Sequence, residues 1–421
     1  MTDAQLAGAS APRPSPDPQP RIARAAPGRI RFAGLGYALV VLLTGTNLAT
    51  PLYAAYEHDF HLSPLDVTLL VAVYAAAVMV ALLACGPLSD TVGYRPVLAA
   101  GLVTAAGGAA LLATASGPAW LYTGRAVQGL AVGTCSGALT AGLMLTEPRG
   151  RPARASFLAA IATTAACGAG PVLAGALAQY APHPRSLSYL VETVLLIPAL
   201  AAVAMLPAGL GRTGGRWRPR WPRLPGAHRG MFLRATLVSL LAWAVAYVVL
   251  ALVPSYTAAA LGRSNLLVDG TAAGSLLLVA AAAQAACRSW GPGRAQVSGL
   301  AGLIAGLLGL IAAGGSGSAA LLFGAIAVAG AGQGLAFMGG IRQVNEIAPA
   351  DQRAGTVAMF YLLTYGGSGL VTVAVGLLAT HFGLTRSVQA SAAVLAAACL
   401  LTLVTGWRAA RTRAPFASAD R

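Results

Sequence analysis

A chain of 421 residues that is 57% hydrophobic and only 10% charged is too apolar for a soluble domain, in which about a quarter of residues carry charge. Its net charge of +16 rests on arginine alone, since no lysine occurs, and the arginines sit in gaps between apolar runs. That placement excludes the continuous basic face of a nucleic-acid-binding protein. No phosphate-cradling Gly-Lys-Ser/Thr loop is present, and no nucleophile stands with a base, so an ATP-driven pump and an enzyme are excluded as well. No cofactor is expected.

Residues 1–32, rich in Pro, Ala and Arg, read as a disordered tail. The apolar run behind them is too long, and too poor in a small-residue cleavage site, to be a removable signal. A helix needs about 20 apolar residues to cross a bilayer core about 30 Å thick. Twelve runs qualify, at 33–55, 66–86, 97–115, 119–144, 155–180, 187–207, 232–258, 266–287, 296–314, 319–345, 355–380 and 386–408. The predicted fold is an all-α membrane protein whose twelve transmembrane helices form two pseudo-symmetric six-helix bundles, 33–207 and 232–408. A basic, proline-broken linker, 208–231, joins them and carries Trp217 and Trp221, suited to a solvated connection or to the membrane surface. The tail 409–421 ends the chain.

Arginine placement orients the spans. With both ends inside, the inner loops hold Arg95, Arg149, Arg151, Arg154, Arg288, Arg294 and Arg353, besides the arginines of the linker and tails. The outer loops hold only Arg185, Arg263 and Arg386. Cytoplasmic loops are enriched in positive charge, which predicts a multi-pass plasma-membrane protein with cytoplasmic N- and C-termini.

Polar side chains in so apolar a chain mark either helix packing or a solute path. The first span offers Thr44, Thr46 and Asn47, the eighth Gln284, and the eleventh Tyr361, Thr364 and Tyr365. Arg125 lies inside the fourth span, and Glu192, in the sixth, is the only acid clearly within an apolar run. Each is a candidate for proton movement or for a structural pair. Asp66 and Asp269 begin the second and eighth spans, where they read as N-caps. The stretch Glu57-His58-Asp59-Phe60-His61 has metal-binding residue types but reads as a solvated loop, and Cys85, Cys135, Cys167, Cys287 and Cys399 read as small hydrophobes; no metal is expected. Arg342 and Glu346, four apart on one helix face, are expected to pair. Pro51 and Pro254 are expected to kink the first and seventh spans at matching places.

The halves repeat one another. Pro51 and Tyr53 recur as Pro254 and Tyr256, and Asp66 as Asp269, each 203 positions on. Gln128-Gly129-Leu130 recurs as Gln333-Gly334-Leu335, 205 positions on, and Gly175-Ala-Leu-Ala as Gly376-Leu-Leu-Ala, 201 positions on.

Three motifs carry a family likeness. Between the second and third spans, GPLSDTVGYRPVL supplies Gly86, Leu88, Asp90, Gly93, Arg95 and Leu98 in a pattern that resembles the loop signature of the major facilitator superfamily. Thr91 and Tyr94 stand where that family usually has basic residues. In the fourth span, Leu121, Arg125, Gln128 and Gly129 resemble its L-x-x-x-R-x-x-Q-G motif. In the fifth, Gly170, Pro171 and Gly175 are similar to a glycine-proline motif of its exporters, with Ala166 and Ala174 replacing two glycines; close packing explains the same pattern. The resemblance implies a secondary transporter that moves a small molecule across the bilayer by rocking its halves, as a monomer, with protons as coupling ion. Within it Asp90, Arg95, Gly86 and Gly93 would gate, Arg125, Gln128 and Glu192 would couple, Gly170, Pro171 and Gly175 would pack or hinge, and Thr44, Asn47, Gln284, Tyr361 and Tyr365 would line the path. Efflux of a small apolar or cationic molecule is the expected direction. An importer of a sugar or other nutrient is the first alternative. A non-transporting sensor of the same fold is the second, kept open by the missing acid in the first span.

Overall fold

The computed structural model describes residues 26–85, 88–212, 224, 228–261, 265–349 and 352–413. Gly86, Trp217, Trp221 and the outer parts of both tails lie outside these residues. All regular structure among the described residues is helical. In chain order it comprises α1 (Ala26–Gly45), a 3-10 turn (Thr50–Leu52), α2 (Tyr53–Phe60), α3 (Pro64–Cys85), α4 (Leu88–Val92), α5 (Tyr94–Ala113), α6 (Pro118–Thr146), α7 (Pro152–Tyr180) and α8 (Leu187–Ala204). There follow α9 (Arg229–Leu261), α10 (Leu266–Ala286), α11 (Pro292–Ser316), α12 (Ala319–Ile347), α13 (Arg353–Phe382) and α14 (Leu384–Arg413). Twelve segments among them are long and apolar enough to cross a membrane, the first made of α1, the turn and α2 together.

Helix is the form such segments must take, because in lipid every backbone N–H and C=O has to find its partner within the segment. Their faces divide accordingly. On α8, Leu190, Val194 and Ile197 form an exposed apolar stripe at helical spacing, while Tyr189, Glu192, Leu196, Ala199 and Val203 form the buried one. Glu192 therefore points into the bundle.

Helices α1–α8 pack mainly with one another, and so do α9–α14; between the sets the broad contacts are α7 with α10 and α3 with α13. Missing side chains permit this closeness. A Cβ on Gly129 would overlap the Tyr74 carbonyl of α3, and one on Gly334 would overlap the Ala280 carbonyl of α10. The glycine of the recurring Gln-Gly-Leu triplet thus does the same packing work in both sets.

The α3–α5 turn and the start of α9 mark the basic end of the bundle; the α2–α3 and α9–α10 connections mark the far end. At the far end the two sets are joined. Ser255 donates to Glu57 Oε2 at 2.7 Å, Leu266 N to Gln179 Oε1 at 2.9 Å and Leu65 N to Thr380 Oγ1 at 3.2 Å.

The two prolines meet different local structure. The first span breaks between Gly45 and Tyr53, with Pro51 inside the 3-10 turn, whereas α9 runs unbroken through Pro254. The cause lies a few residues earlier. Gly45, Thr46 and Asn47 offer an unhindered backbone and side chains that bond locally or across, since Thr46 Oγ1 reaches Leu43 O at 2.7 Å and Asn47 Nδ2 reaches Cys167 O at 3.0 Å. The matching residues of α9, Val248, Val249 and Leu250, have nothing to compete with the helix.

Candidate functional site

The break in the first span leaves backbone carbonyls without helical partners inside an apolar bundle, a costly state unless side chains fill in. Two side chains of α6 do so. Arg125 Nη1 donates to Thr46 O at 2.6 Å and to Gln128 Oε1 at 3.0 Å, and Gln128 Nε2 reaches Gly45 O at 3.3 Å. Arg125 is 3% exposed and its guanidinium lies 4.4 Å from the centre of the Tyr74 ring on α3.

Glu192 enters from α8. It lines, with Thr46, Gln128, Leu42, Ala105 and Val132, a gap too tight to hold a water. Its carboxylate rests where Gly45 lacks a side chain; a Cβ there would overlap it. Arg125 and Glu192 share this centre without an ion pair, and among the described residues Arg125 Nε and Glu192 Oε2 are both buried without a hydrogen-bond partner. The two charged groups singled out in the sequence thus converge on the broken first span. Gly45 and Tyr74, which complete the centre, were not singled out; only the unusual Gly-Thr-Asn run within a span hinted at the first.

The remaining path candidates separate. Thr44 and Asn47 are half-buried beside α7, where a Cβ on Gly170 would overlap the Thr44 carbonyl. Gln284 is buried and reaches Gly334 O at 3.3 Å, while Thr164 of the other set donates to it at 3.4 Å. Tyr361 and Tyr365 belong to an aromatic wall on the second set, with ring centres 5.4 Å apart. Trp243 packs edge-on against Tyr365 at 5.2 Å and Phe337 at 5.6 Å, and Tyr247 lies 5.5 Å from Trp243. The Trp243 indole N–H is buried without a partner. Helices α9 and α13, which carry most of the wall, both pack on α3, the helix of Tyr74. Trp243, Tyr247 and Phe337 come from α9 and α12, and no sequence spacing marked them.

Gly170, Pro171 and Gly175 serve contact between helices. The Pro171 carbonyl sits against Gly270 of α10, and Gly175 sits against the Leu266 carbonyl, both too close for a Cβ. Helix α7 continues through Pro171.

In the signature loop, Gly93 has φ +94°, a conformation that side chains resist, and it starts α5. Tyr94, the departure from the usual basic residue, is buried; its N–H donates to Leu210 O at 2.8 Å and its ring fills the space beside Gly211. Arg95 is exposed, and among the described residues no ion pair joins it to Asp90.

Other expectations change. Arg342 donates to Trp290 O at 2.9 Å and does not pair with Glu346. Within the acidic stretch, Glu57 takes Ser255, and Asp59 pairs with Arg185 at 3.0 Å and His58 at 3.1 Å. Asp66 closes a capping box with Ser63 and is not itself the cap. Asp269 caps nothing, since Asn265 holds that role. Glu147, unmarked in the sequence, accepts from Arg151 N at 2.7 Å and Arg149 N at 2.8 Å and meets Arg154 at 3.4 Å. The Arg151 backbone N–H foremost, with that of Arg149 and the Arg154 guanidinium, holds its carboxyl below the usual carboxylate range.

The family model described as Major Facilitator Superfamily matches residues 35–339. Among solved structures the chain is similar to a POT family transporter crystallised in complex with 5-aminolevulinic acid, with a TM-score of 0.69 at 11% identity, over 90% of this chain and 95% of that one. At that identity the likeness concerns the fold. No curated protein matches in sequence.

Proposed function

We propose, for a chain that belongs to the major facilitator superfamily and is therefore a multi-pass secondary transporter, that it exports a small molecule from the cell in exchange for protons. In this reading the basic end faces the cytoplasm and the protein works as a monomer in the plasma membrane. The far end, held shut by Glu57–Ser255, Gln179–Leu266 and Leu65–Thr380, is then the outer gate.

The observation that carries the reading is the buried centre at the broken first span. Arg125 and Glu192 each keep one polar atom unpartnered there. A neutral Glu192 leaves Arg125 bonded to the Thr46 carbonyl. An ionised Glu192 competes for the same guanidinium, because charge-assisted bonds are roughly twice as strong as neutral ones. Moving Arg125 releases the backbone that sets the shape of the first span, so proton binding and helix shape become one equilibrium. Glu192 thereby supplies the acid that the first span lacks.

Export is favoured by the contact of Pro171 and Gly175 with α10 and by the aromatic wall of Trp243, Tyr247, Phe337, Tyr361 and Tyr365, which would line the path. That wall suits a small apolar or cationic molecule, since rings attract both. The test is accumulation of a panel of dyes and antibiotics in cells with and without the protein, with and without a proton uncoupler. Lower accumulation that the uncoupler reverses is expected for at least one compound. Equal accumulation throughout would remove the export reading.

A further inference from the structure

Asp66 and Asp269 stand 203 positions apart, each in the first turn of a span that starts at the far end. Asp66 is well partnered. Its Oδ2 accepts from Ser63 N at 2.9 Å and Ser63 Oγ at 2.6 Å, its Oδ1 accepts from Tyr122 at 3.1 Å, and it is half-exposed.

Asp269 has none of this. Asn265 Oδ1 has taken the free amides of the helix start, Leu267 N at 3.0 Å and Val268 N at 3.1 Å, and Asp269 N is bonded to Asn265 O at 3.0 Å. The residue is 1% exposed, and among the described residues neither carboxylate oxygen has a hydrogen-bond partner. An ionised carboxylate cannot persist buried and unpaired. Burial of this kind favours the neutral, protonated form of Asp269.

The next residue marks where the sets meet. Gly270 packs against the Pro171 carbonyl of α7, Gly274 against the Gly168 carbonyl, and Gly175 of α7 against the Leu266 carbonyl, all closer than a Cβ allows. Besides α7, helix α10 packs on α9, α12 and the 3-10 turn. Of the titratable groups on these elements, Arg154, Arg229, Arg234, Arg342 and Glu346 belong to the basic end, and Cys167 and Tyr247 lie nearer mid-span. Tyr180 is exposed at the end of α7, and Tyr256 donates to Leu310 O at 3.5 Å. Among the described residues no cation compensates Asp269; Arg263, in the connection before α10, falls outside them.

We propose that Asp269 is a proton-binding site linked to the seal between α7 and α10, occupied while the far end is shut and emptied when it opens. The proposal rests on the alternating-access reading above, though not on its use of Glu192. Parting α7 from α10 brings water to the first turn of α10, where the carboxylate ionises and its proton leaves to solvent. Closure takes the proton back. A hard metal cation is the poorer occupant, because such ions gather about six oxygens or more and this site offers two from a single side chain.

Spin labels at Tyr180→Cys and Phe382→Cys, exposed far-end positions on opposite sets, report the opening as an electron–electron distance. With Asp269 intact, raising the pH from about 5 to about 8 should shift the population toward the longer distance, by at most about tenfold in the open-to-shut ratio per pH unit for one proton. Asp269→Asn should stay shut across the range, and Asp66→Asn should follow the parent. An unchanged distribution in the parent overturns the proposal without any substitution at 269. So does an Asn variant that follows the parent curve, or a parent shift driven by sodium at fixed pH. If the distance follows pH through Asp269 while dye extrusion ignores an uncoupler, the proton-exchange reading fails and the site stands.

Discussion

The two sets of six spans share a plan and divide the chemistry. In the first, Gly45-Thr46-Asn47 breaks the helix, and Arg125, Gln128 and Glu192 close around the exposed backbone. In the second, the matching Val248-Val249-Leu250 keeps α9 intact beside an apolar gap of about 10 Å³ lined by Val245, Val248 and Val249. Where the first set has Arg125, the position 205 residues on holds Gly330, pressed against the Leu276 carbonyl. Gln128 is bonded twice, whereas Gln333 leaves its Oε1 without a partner. One packing scheme thus recurs in both sets, while the buried arginine belongs to one and the aromatic wall to the other.

Substitutions that erase the difference should have the largest effects. Arg125→Ala removes the donor to Thr46 O and leaves Glu192 beside an unfilled break; breaking buried charged contacts costs about 3–5 kcal/mol, so dye extrusion should fall by about 100-fold or more. Near-normal extrusion would show that the arginine is only structural filler. Gly45→Ala drives a methyl into the Glu192 carboxylate and should cost about tenfold in extrusion with a lower melting temperature, since overpacking costs about 1–3 kcal/mol. Shortening the partner with Glu192→Asp in the same chain should recover part of both losses; additive losses instead would place the clash elsewhere.

On the aromatic side the effect should be smaller and confined to affinity. Trp243→Leu loses edge contacts worth about 0.5–1.5 kcal/mol each, so KM for a planar aromatic dye should rise about tenfold with little change in the pH profile. A changed pH profile with constant KM would assign the tryptophan to coupling. The smallest effect belongs to Glu147, outside the centre. Because its carboxyl is held below the ordinary range, its contribution is present above that range and lost as pH falls through the lowered value. Glu147→Gln should therefore soften proteolytic protection of the α6–α7 loop at neutral pH and leave extrusion unchanged.

The spans themselves were legible because apolar length is a property of sequence alone; all twelve runs reappear with boundaries moved by a few residues. Arg125 and Glu192 were legible singly, as charges that a bilayer tolerates only for cause. Their meeting was not, because it depends on the first span breaking at Gly45, a tertiary outcome of a glycine followed by two short polar side chains. Arg342 turns from Glu346 to the Trp290 carbonyl, because spacing on one helix says nothing of a neighbouring helix end. The N-cap role given to Asp269 overlooked Asn265 four residues earlier, a better cap by position. The aromatic wall draws its rings from α9, α12 and α13, so no local period announces it.

The central claim is that a buried carboxylate and a buried arginine on the first set couple protons to the shape of the first span. It is tested most directly by comparing two modes of transport in Glu192→Gln, reconstituted in vesicles with a dye that the parent extrudes. Dye exchange across the membrane at equal pH should continue at close to the parent rate, while accumulation driven by an imposed pH gradient should disappear. Gradient-driven accumulation at the parent level would contradict the account.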